Sequence, residues 1–466
     1  MNEHLEGYSK EILELLASKD IKIYDEVLIE WKGLKLRGII LPKPVYGDPS
    51  ILIVKLDNGY NVGLDIKSIM RITKLGSAER SREFKRMKIS PSKELPLVSI
   101  IGTGGTISSR VDYKTGAVYP SFKLEDLYTF LPEVFDIAFL EVEELLKIFS
   151  EDMSPKLWTL IAEKVAKKLG EGAKGVVIAH GTDTMGYTSA ALSFALQNLP
   201  GPVVLVGAQR SSDRPSSDTA LNLLAAVATA AYAPFGETVV AMHGSISDDY
   251  VLIHRGTKVR KMHTSRRDAF QSINTIPLAA FKENKIFLFT SKYRRRRRLE
   301  DLKLVNGFDE KVALIKFYPG MDPTIIDFLV DKDYHGIVIE ASGLGHVRQE
   351  LIPSIERAVE EEIPVVITSQ CIWGRVNLNV YRRGVELIKA GVIPAEDMLP
   401  ETAFVKLSWI LAQTRDLKSV RKMFLTNIAF EISCRRCPEH YINSFTGIPI
   451  EKHAVEVIKL PLSEKS

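Results

Sequence analysis

The chain has 466 residues, 45% apolar and 26% charged, and its 62 Lys and Arg against 58 Asp and Glu leave a formal net charge of +4. That composition suits a soluble globular protein of two or three domains and excludes disordered, collagenous and disulfide-stapled classes. The mild charge neither demands nor rules out a polyanionic partner. Three cysteines, Cys371, Cys434 and Cys437, make no disulfide framework and point to a reducing compartment. No apolar run reaches bilayer length. The start, MNEHLEGYSKEILELL, carries acidic residues where a secretory signal is basic, so the expectation is a cytoplasmic chain.

In chain order, residues 9–18 have helical spacing, with Ile12, Leu15 and Leu16 on one side. EVLIEW, LKLRGIIL and SILIVKLDNGYNVGL then alternate apolar and polar residues, with Lys32-Gly33 and Asp57-Asn58-Gly59 as turn signals. Short strands with tight turns, finished by about Ile72, predict a small β-barrel domain with an N-terminal helix over residues 1–75. The charged stretch 76–96 reads as a linker.

From Leu97 the pattern becomes βα. LVSII, GVVIA, PVVLVG and TVVAM alternate with helical stretches at 155–169, 185–198 and 218–232, and a second set, VALIKF, GIVIEA and PVVITS, follows. Continuous β-branched runs bounded by Gly and Pro are what a parallel sheet buried on both faces requires. The fold class is therefore α/β: two α/β domains, 97–290 and 311–438, behind a small β-barrel. An Arg-rich connector (291–310) lies between them, and residues 439–466 form a C-terminal extension.

Ligands of open α/β sheets bind beyond the carboxyl ends of the strands. There stand Gly102-Thr103-Gly104-Gly105-Thr106, His180-Gly181-Thr182-Asp183-Thr184-Met185, Gly207-Ala208-Gln209-Arg210 and His243-Gly244-Ser245. GTGGT lacks the G-x-G-x-x-G spacing and the later acidic residue of a dinucleotide site, and no G-x-x-x-x-G-K-[ST] occurs. A hydroxyl needs a neighbour that removes its proton before it is a good nucleophile. Thr103 lies on a glycine turn whose N–H groups can face an oxyanion, and Thr182-Asp183 sets a second hydroxyl beside a carboxylate. A lysine paired with Asp183 would complete a Thr-Lys-Asp relay; the sequence alone does not choose it.

TGGTI (103–107) and HGTDTM (180–185) resemble the two signatures of the bacterial-type L-asparaginase family. The likeness continues through SEDM (150–153), GAQR (207–210), GTKVRKMHT (256–264) and SQCIWGRVN (369–377), and covers Leu97 to about Phe430. The resemblance implies Thr103 as the nucleophile on a side-chain carboxamide, with Thr182, Asp183 and Lys261 as second threonine and acid–base relay. Lys258 competes with Lys261 for the lysine position. Ser150 and Glu151 fall where the family holds the substrate α-carboxylate, Asp183 where it meets the α-ammonium, and Gly104 and Gly181 support the turns. The family usually places a tyrosine in the loop after TGGTI. Ungapped alignment puts Ala117 there, with Tyr113 and Tyr119 nearby as substitutes.

Simple asparaginases begin close to their TGGTI strand, whereas roughly ninety residues precede it here. That appendage, with IFSEDMSPKLW and TGGTISSRVDYKTGAV, is similar to the D-subunit family of archaeal glutamyl-tRNA(Gln) amidotransferases. The resemblance implies a glutaminase half-reaction that passes ammonia to a partner, the E subunit of such a complex, which uses ATP and Mg to amidate Glu-tRNA(Gln). It also implies a homodimer through the asparaginase-like domains, an α2β2 complex, tRNA held mainly by the partner, and no metal or organic cofactor in this chain. A free-standing cytoplasmic asparaginase or glutaminase and a catalytically silent scaffold are the alternatives. Three further features have two readings. Arg294–Arg298 either meets RNA phosphates or is a solvated connector. Cys434 and Cys437, with His440 near, form either a metal or redox pair or two plain thiols. His180 packs at its strand end rather than acting as a base, and His346 either faces a neighbouring subunit's site or is a loop histidine.

Overall fold

The computed structural model describes residues 7–43, 48–56, 61–77, 95–105, 109–111, 118–120, 131–210, 216–435 and 450–461. Helix α1 (Lys10–Ser18) starts where the Ser9 side chain accepts from the Ile12 N–H, and it buries Ile12 and Leu16. Five strands follow: β1 (Asp25–Trp31), β2 (Leu34–Ile40), β3 (Ile51–Leu56), β4 (Asn61–Asp65) and β5 (Ile69–Ser77). Their order is β4-β3-β2-β1-β5, every neighbour antiparallel. Trp31 pairs with Leu34 across a two-residue turn, Lys32-Gly33, in which both φ angles are positive. One core joins Ile12 to Ile29, Ile40, Val54, Leu64 and Ile72, so the helix and all five strands share it. Strand β5 runs on to Ser77, opposite Asp25, past Ile72 and into the stretch read as linker. Main-chain pairing needs no apolar side chain, so a charged, glycine-bearing segment hid it.

The α/β part opens with β6 (Leu97–Gly104), the hairpin strands β7 (Ser109–Val111) and β8 (Val118–Pro120), and β9 (Phe139–Ile148). Next come α2 (Pro155–Gly170), β10 (Gly175–Ala179), α3 (Met185–Ala195), β11 (Leu196–Gln197), β12 (Val203–Val206), α4 (Thr219–Tyr232) and β13 (Thr238–His243). After them stand β14 (Val251–Arg255), a hairpin of β15 (Val259–Lys261) and β16 (Phe270–Ser272), β17 (Ala279–Lys282), β18 (Lys285–Leu288) and β19 (Lys303–Leu304). The second unit holds β20 (Val312–Lys316), α5 (Thr324–Asp331), β21 (Gly336–Ala341), α6 (Ile352–Glu360), β22 (Val365–Ser369), α7 (Arg382–Lys389), β23 (Ile393–Pro394), α8 (Pro400–Leu411) and α9 (Leu417–Leu425). A last strand is β24 (Glu456–Lys459).

The larger sheet has the order β24-β18-β17-β14-β13-β12-β10-β6-β9 and is parallel from β9 to β13. Strands β10, β12 and β13 are buried throughout, as their unbroken apolar runs predict. Val176 and Ile178 join one core, Val177 and Ala179 the other. The first of these cores extends into the second unit, whose α8 stacks Trp409 on Phe194 of α3. The second unit's own sheet, β20-β21-β22-β23, is parallel. Helix α3 ends at Ala195 rather than 198, because Leu196–Gln197 pairs with β19 and Asn198 takes a positive φ. Among the described residues, no helix is long and apolar enough to cross a membrane.

Two segments behave differently from their sequence appearance. The C-terminal extension returns to the first unit, where β24 pairs with edge strand β18 and Glu451 meets Lys282 at 2.6 Å. The arginine run is only in part a solvated connector. Arg295, Arg297 and Arg298 are exposed, but Arg296 donates to the carbonyls of Ala230, Ala231, Ala233 and Lys174. It thereby satisfies the carbonyls left free at the C-terminus of α4, where a cation also meets the favourable end of the helix dipole. Arg296→Met should lower the urea midpoint by the equivalent of about 1–3 kcal/mol, because several buried acceptors lose their donor. An unchanged midpoint would show that water replaces the guanidinium without loss.

Candidate active site

The site assembles where β6, β9 and β10 end side by side. Gly102 pairs with Ala179, so Thr103 and His180 are the next residues on adjacent strands. Thr103 is 2% exposed, and its hydroxyl donates to the Ala179 carbonyl at 2.9 Å. Gly104 and Gly105 have φ of +110° and +83°, and they turn the chain where a side chain would not fit. A Cβ at Gly104 would lie 2.1 Å from the Ile148 carbonyl oxygen, and one at Gly105 would lie 2.4 Å from the backbone of Gly181. Gly181 is equally confined, since a Cβ there would sit 2.7 Å from Cβ of Ser150. Glycine thus lets three strand ends touch, and the touching brings Thr103, Ser150 and Thr182 to one place.

Ser150 is buried on a short 3-10 turn after β9, while Glu151 beside it is exposed. The Ser150 carbonyl accepts from the Thr184 hydroxyl at 2.5 Å, tying that turn to the HGTDTM loop. The lysine comes from β15. Lys261 Nζ donates to Thr182 Oγ1 at 2.9 Å and to Asp183 Oδ1 at 2.8 Å. Its side chain is 13% exposed, that of Asp183 67%, so the carboxylate is open to an incoming cation. An ion pair this exposed adds little to stability; beside it the ammonium stands within hydrogen-bond reach of the second threonine. Lys258 lies elsewhere: it is 1% exposed and bonded to Asp397 of the second unit at 2.7 Å. Burial pushes its ammonium down, against the opposing pull of Asp397.

His180 is fully buried. Trp158 Nε1 donates to Thr188 Oγ1, which stands 2.9 Å from His180 Nε2, while Nδ1 lies 2.6 Å from the Gly181 carbonyl. Both contacts are satisfied by the Nδ1–H tautomer, assigned from this network, and the ring braces the turn at Gly181. A second bracing group was not singled out from the sequence. Buried Asp218 accepts from the N–H groups of Gln209 and Arg210 and from Asn222, whose amide also reaches the Gly207 carbonyl and His243. The Asp-x-x-x-Asn spacing at the start of α4, placing both on one helix face, was its available signal. Tyr119 lies on β8 opposite Arg110. Tyr113 and Ala117 lie outside the described residues, as do Cys437 and His440; Cys434 is exposed. Among the described residues, no group of three His, Cys, Asp or Glu is placed to hold a metal ion. His346 touches the Tyr381 ring and sits on the second unit's SGLGH loop.

Burial pushes the His180 imidazole down from 6.5 to about 4. The unfolded chain takes up this proton near 6.5 and the folded chain only near 4. The associated stability is whole above the higher value and drains as pH falls toward the lower, by about 3 kcal/mol. Buried His254, pushed down to about 3, adds a slope of its own. The thermal midpoint of His180→Asn should therefore fall less steeply than wild type between pH 6.5 and 4. Parallel slopes would contradict the assignment of His180 as a neutral brace.

Comparison with known proteins agrees with this geometry. Residues 97–294 match the family model "Asparaginase, N-terminal", residues 311–424 "Glutaminase/Asparaginase C-terminal domain", and residues 21–75 "GatD N-terminal domain". The glutamyl-tRNA(Gln) amidotransferase D subunit of Thermofilum pendens is 50% identical over 452 residues, covering 94% of this chain and 98% of the relative. The Pyrococcus furiosus protein of the same name is 54% identical over 435 residues, covering 92% and 99%. Among solved structures, the thermostable L-asparaginase from Thermococcus kodakarensis superposes with a TM-score of 0.64 at 33% identity, covering 72% of this chain and 99% of that one. L-asparaginase I from Vibrio cholerae gives 0.64 at 30% identity, covering 73% and 99%. This chain belongs to the asparaginase family, within the branch of glutamyl-tRNA(Gln) amidotransferase D subunits.

Proposed function

We propose that the chain is the glutaminase component of a tRNA-dependent amidotransferase, which hydrolyses glutamine and hands the ammonia to a partner. The observation that carries the chemistry is the Lys261 ammonium held against both Thr182 and Asp183 at the strand ends where Thr103 also lies. Glutamine binds with its α-carboxylate at Ser150 and its α-ammonium at the exposed Asp183 carboxylate. Thr103 Oγ1 attacks the side-chain amide carbon, and the glycine-turn N–H groups with Thr182 stabilise the oxyanion. The C–N bond breaks as the proton released by Thr103 is relayed through Lys261 to nitrogen, so the leaving group is ammonia. Water then cleaves the acyl-threonine, giving glutamate and restoring the hydroxyl. This chain's own residues supply every step, and no cofactor is assigned to it.

The match over residues 21–75 separates the chain from the solved L-asparaginases, which cover 72% and 73% of it. It supports docking of the N-terminal sheet in the complex rather than a free-standing asparaginase. The partner is the E subunit, which uses ATP and Mg to convert Glu-tRNA(Gln) to Gln-tRNA(Gln) and holds most of the tRNA. Two copies of each chain form an α2β2 complex in the cytoplasm, joined through the asparaginase-like domains.

The test is ammonia release from glutamine and from asparagine, with and without the E subunit and Glu-tRNA(Gln). Release from glutamine should rise strongly only when partner and charged tRNA are both present, and Thr103→Ala should lose about a thousandfold or more. Brisk hydrolysis of asparagine without the partner would sink the amidotransferase assignment. Full activity of Thr103→Ala would sink the threonine mechanism.

A further inference from the structure

The hairpin that carries Lys261 belongs to the first α/β unit but is fastened by the second. Successive residues of a strand point to opposite faces, and β15 divides its faces between the two units. Val259 is buried in the shared core and Lys261 reaches Thr182 and Asp183. On the other face, Arg260 meets Glu401 at 3.1 Å, and Lys258, just before the strand, meets Asp397 at 2.7 Å. Asp397 and Glu401 flank the start of α8. Two further ties close the joint. Thr257 donates to the Ala429 carbonyl and accepts, through its own carbonyl, from Thr402. After β16, the Asn274 amide donates to the carbonyls of Gly374 and Asp397, and its oxygen accepts from the Gly374 N–H.

We infer that Asp397 and Glu401 are positioning residues for amide hydrolysis: through Lys258 and Arg260 they set the β15–β16 hairpin, and so the place of the Lys261 ammonium. The second unit then completes the site without contributing a reacting group. The chemistry favours such a device. Lys261 hangs on a long flexible stem and touches Asp183 where that carboxylate is largely open to water. A pair so exposed has little power to fix its own geometry, and a small displacement of a reacting group costs rate steeply. The buried Lys258–Asp397 pair is the opposite case. It is 1% and 6% exposed, and Asp397 also accepts from the Ser433 N–H. Removing one partner would strand a buried charge, so the pair tolerates only one arrangement.

This inference rests on the proposed role of Lys261, and the experiment separates the two. In the assembled amidotransferase, kcat and KM for glutamine-dependent ammonia release are measured for Lys258→Met/Asp397→Leu, Glu401→Gln, Lys261→Ala and the combination of the first with Lys261→Ala. The double substitution replaces a buried ion pair by apolar groups, which such sites accept without loss of fold; thermal unfolding checks this. The expected result is a fall in kcat of about tenfold for the double variant and about threefold for Glu401→Gln, with KM within about twofold. In the Lys261→Ala background the double substitution should cost less than about twofold more, because both act through one group. Folded tether variants with wild-type kcat overturn the inference, as does a full, additive loss in the Lys261→Ala background. If the double variant does not fold, Glu401→Gln alone decides by the same criterion. If Lys261→Ala itself keeps wild-type kcat, the reading of the relay fails instead.

Discussion

Three backbones meet at the mouth of the larger sheet with no room for a single extra carbon, and the rest of the site follows from that contact. Gly105 lies against Gly181, Gly181 against Ser150, and Gly104 against the end of β9. Gly207 joins from β12, where a Cβ would lie 2.7 Å from Thr182 Cγ2 and from the Met185 methyl. Parallel strands at ordinary spacing would keep the loops beyond them apart; four glycines at three of the strand ends draw those loops together. Thr103 at the end of β6 and Thr182 in the loop after β10 are therefore gathered at one mouth of the sheet. So close a contact needs support, and each supporting group is a buried polar one with its partners in place. His180 links Trp158 and Thr188 to the turn at Gly181, and Asp218 ties Gln209 and Arg210 to Asn222 and His243.

Much of this was legible because it is local. A glycine-hydroxyl cluster directly after a doubly buried strand is written in consecutive residues, and the strand register then does the assembling. Thr103, Thr182 and Asp183 gather where the reading of strand ends placed them, and Ser150, which only the resemblance pointed to, joins them from the end of β9. The lysine was not legible in the same way. Lys258 and Lys261 differ by an odd number of positions, so a strand must send them to opposite faces, but nothing local says which face looks at Thr182. That choice depends on what packs behind the hairpin, and what packs there is Asp397, some 140 residues further on. The same reason hid β24, whose four residues are stabilised by pairing with β18 rather than by a pattern of their own. Within the arginine run, five identical residues have different fates because only Arg296 is level with the end of α4.

The two α/β units are not independent bodies that happen to be joined. One core runs through both, from Ile178 and Phe194 of the first unit to Leu407 and Trp409 of the second. Across that core lie two buried or nearly buried cations. Lys258 crosses from one unit to the other, whereas Lys406 stays within the second unit, bonding to Glu431 and to the carbonyls of Phe424 and Thr426. An apolar seam alone would tolerate sliding, since dispersion contacts are many and individually weak. Buried charges with directed partners do not tolerate it, because any shift leaves an ammonium or a carboxylate unpaired away from water. The seam thus has adhesion from its apolar area and register from its charges.

Register at the seam has a consequence at the mouth of the sheet because Lys261 ends the short strand that Lys258 immediately precedes. The Asp183 carboxylate, two-thirds exposed, is screened by water while the site is empty, and its pull on Lys261 is correspondingly weak. On the proposed mechanism a bound substrate displaces that water and brings its own ammonium to the same carboxylate. The attraction between Asp183 and Lys261 then strengthens as the local dielectric falls, while the two cations also repel. Whether Lys261 stays on Thr182 under that competition is decided by how firmly the strand beneath it is held. On the proposed mechanism the buried pair at Asp397 and the open pair at Asp183 therefore divide the work: the first holds the strand where solvent cannot reach, and the second acts where substrate must.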